Sequence, residues 1–245
     1  MHAEKHYRHT DFPQPDDLTH QEQRWIGWLY ESWILSQNPY QVQDNRHIEL
    51  QPPFIVVANH DVARGEKTGL EIDAALLIDF IRKKYHIQPS WIADTGNQVL
   101  KDTIPVPAFL IIDKLIQFRA NYYNLIQFNS SVPSFGTANM KRIKRELRDQ
   151  GIIGLFARTL QHKNTKRGYL ALSQYAGVGQ TGVPIQPIRI DKNTRHNWDD
   201  QHPKFTLTLQ PPLIPHFSGK RIHEREQRYY DKRLDQAIFE PALPK

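Results

Sequence analysis

The chain contains no cysteine. That absence excludes a disulfide framework, thiol catalysis and cysteine-ligated zinc together. Long apolar runs are missing as well. The best candidate, Ile104 to Phe118, is broken by Asp113 and Lys114 and falls short of a bilayer span. Met1 to Asp17 is polar and histidine-rich, without the apolar segment a secretory signal needs, so residues 1–17 are expected to form a disordered tail. No internal repeat and no separating linker interrupts the rest. Residues 18–245 are therefore expected to form one domain of a soluble or peripheral protein.

What is present points to a globular fold with an anion-seeking surface. A chain of 245 residues is long enough to bury a sizeable core. Aromatic content is high, with five Trp and ten Tyr. Net charge is +6 and the isoelectric point is about 9.4, which favours nucleic acid, anionic lipid headgroups or phosphorylated small substrates as partners.

Hydrophobic periodicity outlines the elements. A helix is expected from Thr19, where Thr19 and Glu22 have the capping-box spacing. Its aromatic face, with Trp25, Trp28 and Trp33, either packs on the core or rests at a membrane interface, where Trp is favoured. The apolar run 54–58 reads as a buried strand and Glu71 to Lys84 as an amphipathic helix with a basic end. Further strands are expected at Ser90–Ala93, Ile152–Phe156, Val183–Ile190 and, half-buried by its alternation, Lys204–Leu209. Helical character is expected over 107–126, over a basic stretch Ala138–Gln150 stopped by Gly151, over 168–176 and over 220–238. The alternation of strands and helices predicts an α/β fold. It comprises a central mixed, mostly parallel sheet flanked by helices and preceded by an N-terminal amphipathic helix.

One motif is set aside. Gly177-Val178-Gly179-Gln180-Thr181-Gly182 fits G-x-G-x-x-G, but the dinucleotide fingerprint needs a strand before it and a helix after it. The expected order here is helix, then strand. A helix-to-strand turn is the better account.

Four segments follow one another in a suggestive order. Ile55-Val56-Val57-Ala58-Asn59-His60 ends a strand in Asn-His, and Asp73 opens a helix soon after. Next comes the stretch around Gln127-Phe128-Asn129-Ser130. Gly151 to Phe156 then leads to Lys166-Arg167-Gly168-Tyr169, and Val183-Pro184-Ile185-Gln186-Pro187-Ile188 follows. In this order the chain resembles the lysophosphatidic-acid acyltransferases and their glycerol-phosphate relatives, from about residue 20 to 238.

The resemblance implies acyl transfer from a thioester on coenzyme A or an acyl carrier protein to a hydroxyl of a lysophospholipid or related acceptor. By it, His60 is the general base, Asp73 holds its imidazole, and Asn59 helps set the His60 turn. Such a base takes the hydroxyl proton as the oxygen attacks, and no acyl-enzyme is required. By the same resemblance, Asn59, Arg158, Lys166, Arg167 and Gly168 bind substrate. The thioester is a co-substrate, with no cofactor or metal, and the protein lies peripherally on the cytoplasmic face of the membrane.

The chain also departs from the family pattern. Twelve residues separate His60 from Asp73, where the family has four. The extra polar segment, with Gly65 and Gly69, can loop out at a closure cost of about 1 kcal/mol. Asp61 is adjacent to His60 and is expected to point elsewhere, and Asp79 lies deep in the helix. Where the family has Phe-Pro-Glu-Gly-Thr-Arg, this chain has Phe156-Ala157-Arg158-Thr159-Leu160, and the usual Arg of the second motif has no clear match. These losses touch acceptor binding more than the acyl-transfer step. Arg158, Lys163, Lys166 and Arg167 still make a cationic cluster suited to a phosphate, or to solvent.

Two other functions compete with this one. An inactive relative would bind lipid or acyl groups without turnover. The basic helix Lys141-Arg142-Ile143-Lys144-Arg145 would suit nucleic-acid phosphates. Its charges, however, lack the interleaved aromatics of a single-strand platform. His2, His6 and His9 lack the carboxylate framework of a metal site.

Overall fold

The computed structural model describes residues 20–59, 69–94, 122–128, 133–157, 168–193, 197–199, 201–219 and 221–239, with the side chains of the first helix described from Gly27. In chain order the elements are α1 (His20–Gln37), β1 (Tyr40–Asp44), β2 (Phe54–Asn59), α2 (Gly69–Tyr85), β3 (Ser90–Asp94), β4 (Leu125–Phe128), α3 (Pro133–Arg148), β5 (Ile152–Ala157), α4 (Tyr169–Ala176), β6 (Ile185–Lys192), β7 (Phe205–Leu209) and α5 (Glu224–Ile238).

The run Phe-Ile-Val-Val-Ala of β2 has no polar alternation because both of its faces are covered. It lies fourth in a seven-stranded sheet of order β1-β7-β6-β2-β5-β3-β4. β6, β2, β5, β3 and β4 run parallel, β7 is antiparallel to β6, and β1 is parallel to β7. The α/β class and the mixed, mostly parallel sheet are therefore as the sequence indicates.

Strand alternation divides the core into two layers. Phe54, Val56 and Ala58 pack with Ile34 of α1 and with Ile72, Leu76 and Ile81 of α2. Ile55 and Val57 face the other way, onto Ile143 and Leu147 of α3, Leu170 of α4, and Leu234 and Ile238 of α5. Each fully buried Ile or Leu contributes about 1.5–3 kcal/mol. α2 is buried on more than one side, since α1 covers it outside the sheet.

Close backbone approach explains several glycines. A side chain at Gly154 would come within 2.5 Å of the Trp91 ring, which lies across β5 and stacks on Phe156 at 5.1 Å. A Cβ at Gly177 or Gly182 would overlap Thr181 or Ser173. Between these two glycines, Val178 and Thr181 exchange backbone bonds of 3.0 and 3.1 Å around Gly179, whose φ is +63°. The G-x-G-x-x-G letters are thus a tight hairpin turn between α4 and β6, and not a phosphate cradle.

Some expectations need correction. β7 is not half-buried. It lies between β1 and β6, and Thr206 and Thr208 are as hidden as their apolar neighbours. Leu125 and Ile126, expected at the end of a helical region, belong to strand β4, while 107–121 lies outside the described residues. The basic helix starts earlier, at Pro133, and the strand expected at Val183 starts at Ile185 and runs to Lys192. β1 has no counterpart among the strands the sequence predicts. Thr19 and the His-rich tail lie outside the described residues, as does the side chain of Trp25.

Candidate functional site

The carboxyl edge of the parallel strands is the natural place for chemistry in such a sheet, above all between neighbouring strands whose following helices pack on opposite faces. β2 and β5 are such neighbours. β2 leads to α2 on one face, and β5 leads to α4 on the other. His60 is the residue after β2, and Arg158 the residue after β5. Both lie outside the described residues, as do Asp61, Lys163, Lys166 and Arg167.

Asn59, the last residue of β2, is 7% exposed. Its amide nitrogen donates to the Ile190 carbonyl at 2.9 Å, and its amide oxygen accepts from the Ile190 N–H at 2.7 Å. The backbone ladder between β2 and β6 reaches only Ala58↔Ile188. Asn59 therefore extends the ladder with its side chain, standing in for a peptide group. Its amide is thus engaged in fixing the strand end from which the chain continues to His60.

Asp73 lies in the second turn of α2 and is 0% exposed. A carboxylate taken wholly out of water persists only with charged or hydrogen-bonding partners. Asp79, further along this helix, is committed elsewhere. It accepts from the Tyr40 hydroxyl at 2.6 Å and pairs with Lys83 at 2.7 Å. Gly168 is exposed at the start of α4, and among the described residues none comes within 4 Å of where its side chain would stand.

The Val-Pro-Ile-Gln-Pro-Ile segment builds the strand beside β2. The Pro184 carbonyl accepts from Ile55 N–H at 2.9 Å, and the buried Gln186 amide donates to the Gln210 carbonyl at 2.7 Å. Past Ile188, β6 continues for four residues to Lys192. There a cavity of about 350 Å³ opens, lined by Asn59, Arg189, Ile190, Asp191, Lys192, Ile238 and Phe239. Arg189 Nε donates to Asp191 Oδ2 at 2.7 Å. Sequence reasoning missed these charged residues. The available signal was the alternation Ile188-Arg189-Ile190-Asp191, which turns two charges to one face of the strand.

Among the described residues, no group of three or more His, Asp or Glu is arranged to hold a metal ion, and no helix is long and apolar enough to cross a membrane. On α1, Ile34 packs inward, but Trp28 and Trp33 are 56% and 59% exposed, with Leu29 beside them. Packing on the core, one of the two expectations for this aromatic face, does not hold for these two tryptophans. Compared with protein-family models, with curated proteins and with solved structures, the chain matches none.

Proposed function

We propose that the protein transfers an acyl group from a thioester, carried on coenzyme A or an acyl carrier protein, to a hydroxyl of a glycerolipid-like acceptor. His60 takes the hydroxyl proton as the oxygen attacks the thioester carbonyl. The C–S bond then breaks, an ester forms, and the imidazolium returns the proton to the departing thiolate. Asp73 holds the imidazole in the tautomer this requires. The exposed Trp28, Leu29 and Trp33 rest on the cytoplasmic membrane face from which the acceptor comes.

The observation that carries this reading is the fully buried Asp73 on the helix that directly follows the Asn59-clamped end of β2, at the edge where β2 and β5 send their helices to opposite faces. Such burial suits a carboxylate with an internal imidazole to orient better than one that serves only the helix dipole, for which a solvent-facing position would do.

The test is thiol release from a long-chain acyl thioester, with mixed lysophospholipid acceptors and vesicles. Wild type is expected to release thiol only when acceptor is present, and His60→Ala to lower the rate by about two or more orders of magnitude, as loss of a general base does. Absence of release by well-folded wild type across a broad acceptor panel would overturn catalysis in favour of a binding-only relative.

A further inference from the structure

The sheet ends at β1, and that edge is bare on both of its faces. Gln41, Val42, Gln43 and Asp44 are exposed, and only Tyr40 is partly covered. Among the described residues, the strand pairs with β7 alone. Phe205 N–H donates to the Pro39 carbonyl at 3.1 Å, and Asn45 N–H to the Leu209 carbonyl at 2.9 Å. Bonding direction alternates along a strand, so Gln41 and Gln43 also turn their backbone groups to β7. Tyr40, Val42 and Asp44 turn theirs away, where no described strand meets them. Sheets commonly protect such an edge with lysine, proline or a bulge. Tyr-Gln-Val-Gln-Asp has neither lysine nor proline, and its register with β7 is unbroken.

Two strands of this sequence fit one another. In an antiparallel pair centred on Val42, Val42 meets Val42 of the second copy, Gln41 meets Gln43, and Tyr40 meets Asp44. The backbone groups that β7 leaves unused then face each other at every hydrogen-bonded pair, and a shift by one residue would set them against groups already engaged. Tyr40 and Asp44 lie on the α2 side, where the Tyr40 hydroxyl reaches Asp79 and Asp44 is 3.8 Å from Lys84. Val42, between them, is 43% exposed, and the pairing covers one valine with the other. Charge agrees with this register. The two Asp44 carboxylates stand at opposite ends of the paired strands. Each comes beside the other copy's Tyr40, over whose ring Lys83 lies at 5.9 Å. Lys83 is 70% exposed and pairs with Asp79, and an ammonium has further donors for a second carboxylate. On the other face, Gln41 and Gln43 set carboxamide against carboxamide, each able to donate and accept.

We propose that the β1 edge binds a second copy of this chain, paired antiparallel about a dyad at Val42, so that two sheets join into one. The proposal stands apart from the acyl-transfer reading and does not need it. A dyad of this kind is perpendicular to the sheet. It therefore keeps α1 of both copies, with Trp28 and Trp33, on the same side, and a membrane met by one copy is met by both. A five-residue strand is a small interface, so the association is reversible and concentration-dependent, not obligate.

Sedimentation velocity of the full chain, from roughly 2 to 200 μM, is the first test. Wild type is expected to pass from monomer toward dimer as concentration rises. The Val42 N–H bonds nothing on β7, so Val42→Pro costs the monomer no ladder bond. It removes a donor at the dyad, and this variant is expected to stay monomeric throughout. Val42→Lys sets two ammonium groups opposite each other and is expected to weaken association at least about tenfold. It carries the test if the proline variant fails to fold. Because the chain has no cysteine, an engineered one reports the contact directly. Val42→Cys is expected to give a disulfide-linked dimer on mild oxidation, since paired strands hold Cα atoms within disulfide range. An equimolar mixture of Gln41→Cys and Gln43→Cys is expected to cross-link about tenfold faster than either alone, which fixes the register. Wild type that stays monomeric over the whole range overturns the proposal and leaves the edge to a strand of another protein. A dimer that neither Val42→Pro nor Val42→Lys weakens, or one in which Val42→Cys forms no disulfide, overturns it as well.

Discussion

Asn59 behaves as a piece of backbone would, and its chemistry allows this because a carboxamide carries the same donor and acceptor as a peptide group. Both of its bonds go to Ile190, two residues past the last Cα pair of the β2–β6 ladder. An alanine there leaves a buried N–H and a buried carbonyl without their partners, at a cost of about 1–3 kcal/mol. Asn59→Ala is thus expected to lower the urea midpoint and, because the next residue is the candidate base, to reduce thiol release by more than the loss of folded protein explains. An unchanged midpoint would show that Ile190 finds other partners without help from this side chain. The importance of position 59 was legible from the Asn-His ending of a strand. The partner of its amide was not, because a substrate-binding amide and a ladder-closing amide look the same until the neighbouring strand is known.

At the scale of elements, two tyrosines tie helices to the rest of the fold through carboxylates. Tyr40, at the start of β1, donates to Asp79 on α2 at 2.6 Å, and Tyr122, just before β4, donates to the Glu31 carboxylate on α1. Arg82 completes the second group, with its terminal nitrogen 2.8 and 3.0 Å from the Glu31 oxygens. Burial first, and then these hydrogen bonds, raise both phenol pKa values above their ordinary 10.0. A phenol with a folded pKa above its unfolded value holds its proton more tightly in the native state. Its contribution is complete below pH 10 and is lost as pH climbs beyond that value. The denaturant midpoint is accordingly expected to fall from about pH 10 upward, and to fall less steeply in the Tyr40→Phe, Tyr122→Phe double variant. Equal slopes in the two proteins would refute the assignment.

The same scale separates what the chain discloses locally from what it does not. β2, α2 and β5 are readable because their apolar patterns are complete within a few residues. β1 is not readable, because it is exposed along most of its length and pairs only with β7, Tyr40 lying opposite Phe205. β7 misleads for a related reason. Its two threonines read as solvent-facing, yet Thr206 and Thr208 are buried, and the Thr206 hydroxyl accepts from Gln41 on β1 at 3.1 Å. The Arg189 cavity was hidden likewise, since alternating charges in β6 acquire a meaning only once the end of α5 is set beside them.

For the whole molecule, the two faces of the sheet present different surfaces. α1 turns Gly27, Glu31 and Ile34 inward and Trp28, Leu29 and Trp33 outward, on the α2 side. α3 lies on the opposite face and carries Lys141, Arg142, Lys144, Arg145 and Arg148 against a single acid, Glu146. A bilayer reached by the tryptophans is therefore not the one met by the α3 cations. If α1 is the membrane-resting element, burying each tryptophan at the interface contributes about 1.5 kcal/mol or more, roughly tenfold in partitioning. Trp28→Ser with Trp33→Ser is expected to weaken co-sedimentation with phosphatidylglycerol–phosphatidylethanolamine vesicles by about two orders of magnitude, while Lys141→Glu with Arg145→Glu leaves it nearly unchanged. The opposite pattern, strong dependence on the α3 charges and none on the tryptophans, would turn the other face of the sheet toward the lipid. It would make binding electrostatic and salt-sensitive. Because the thioester test is run with vesicles, the tryptophan variant also separates access from chemistry. A variant that fails only on vesicle-bound acceptors, and turns over a dispersed short-chain acceptor at the wild-type rate, has lost its seat on the membrane and kept its reaction centre.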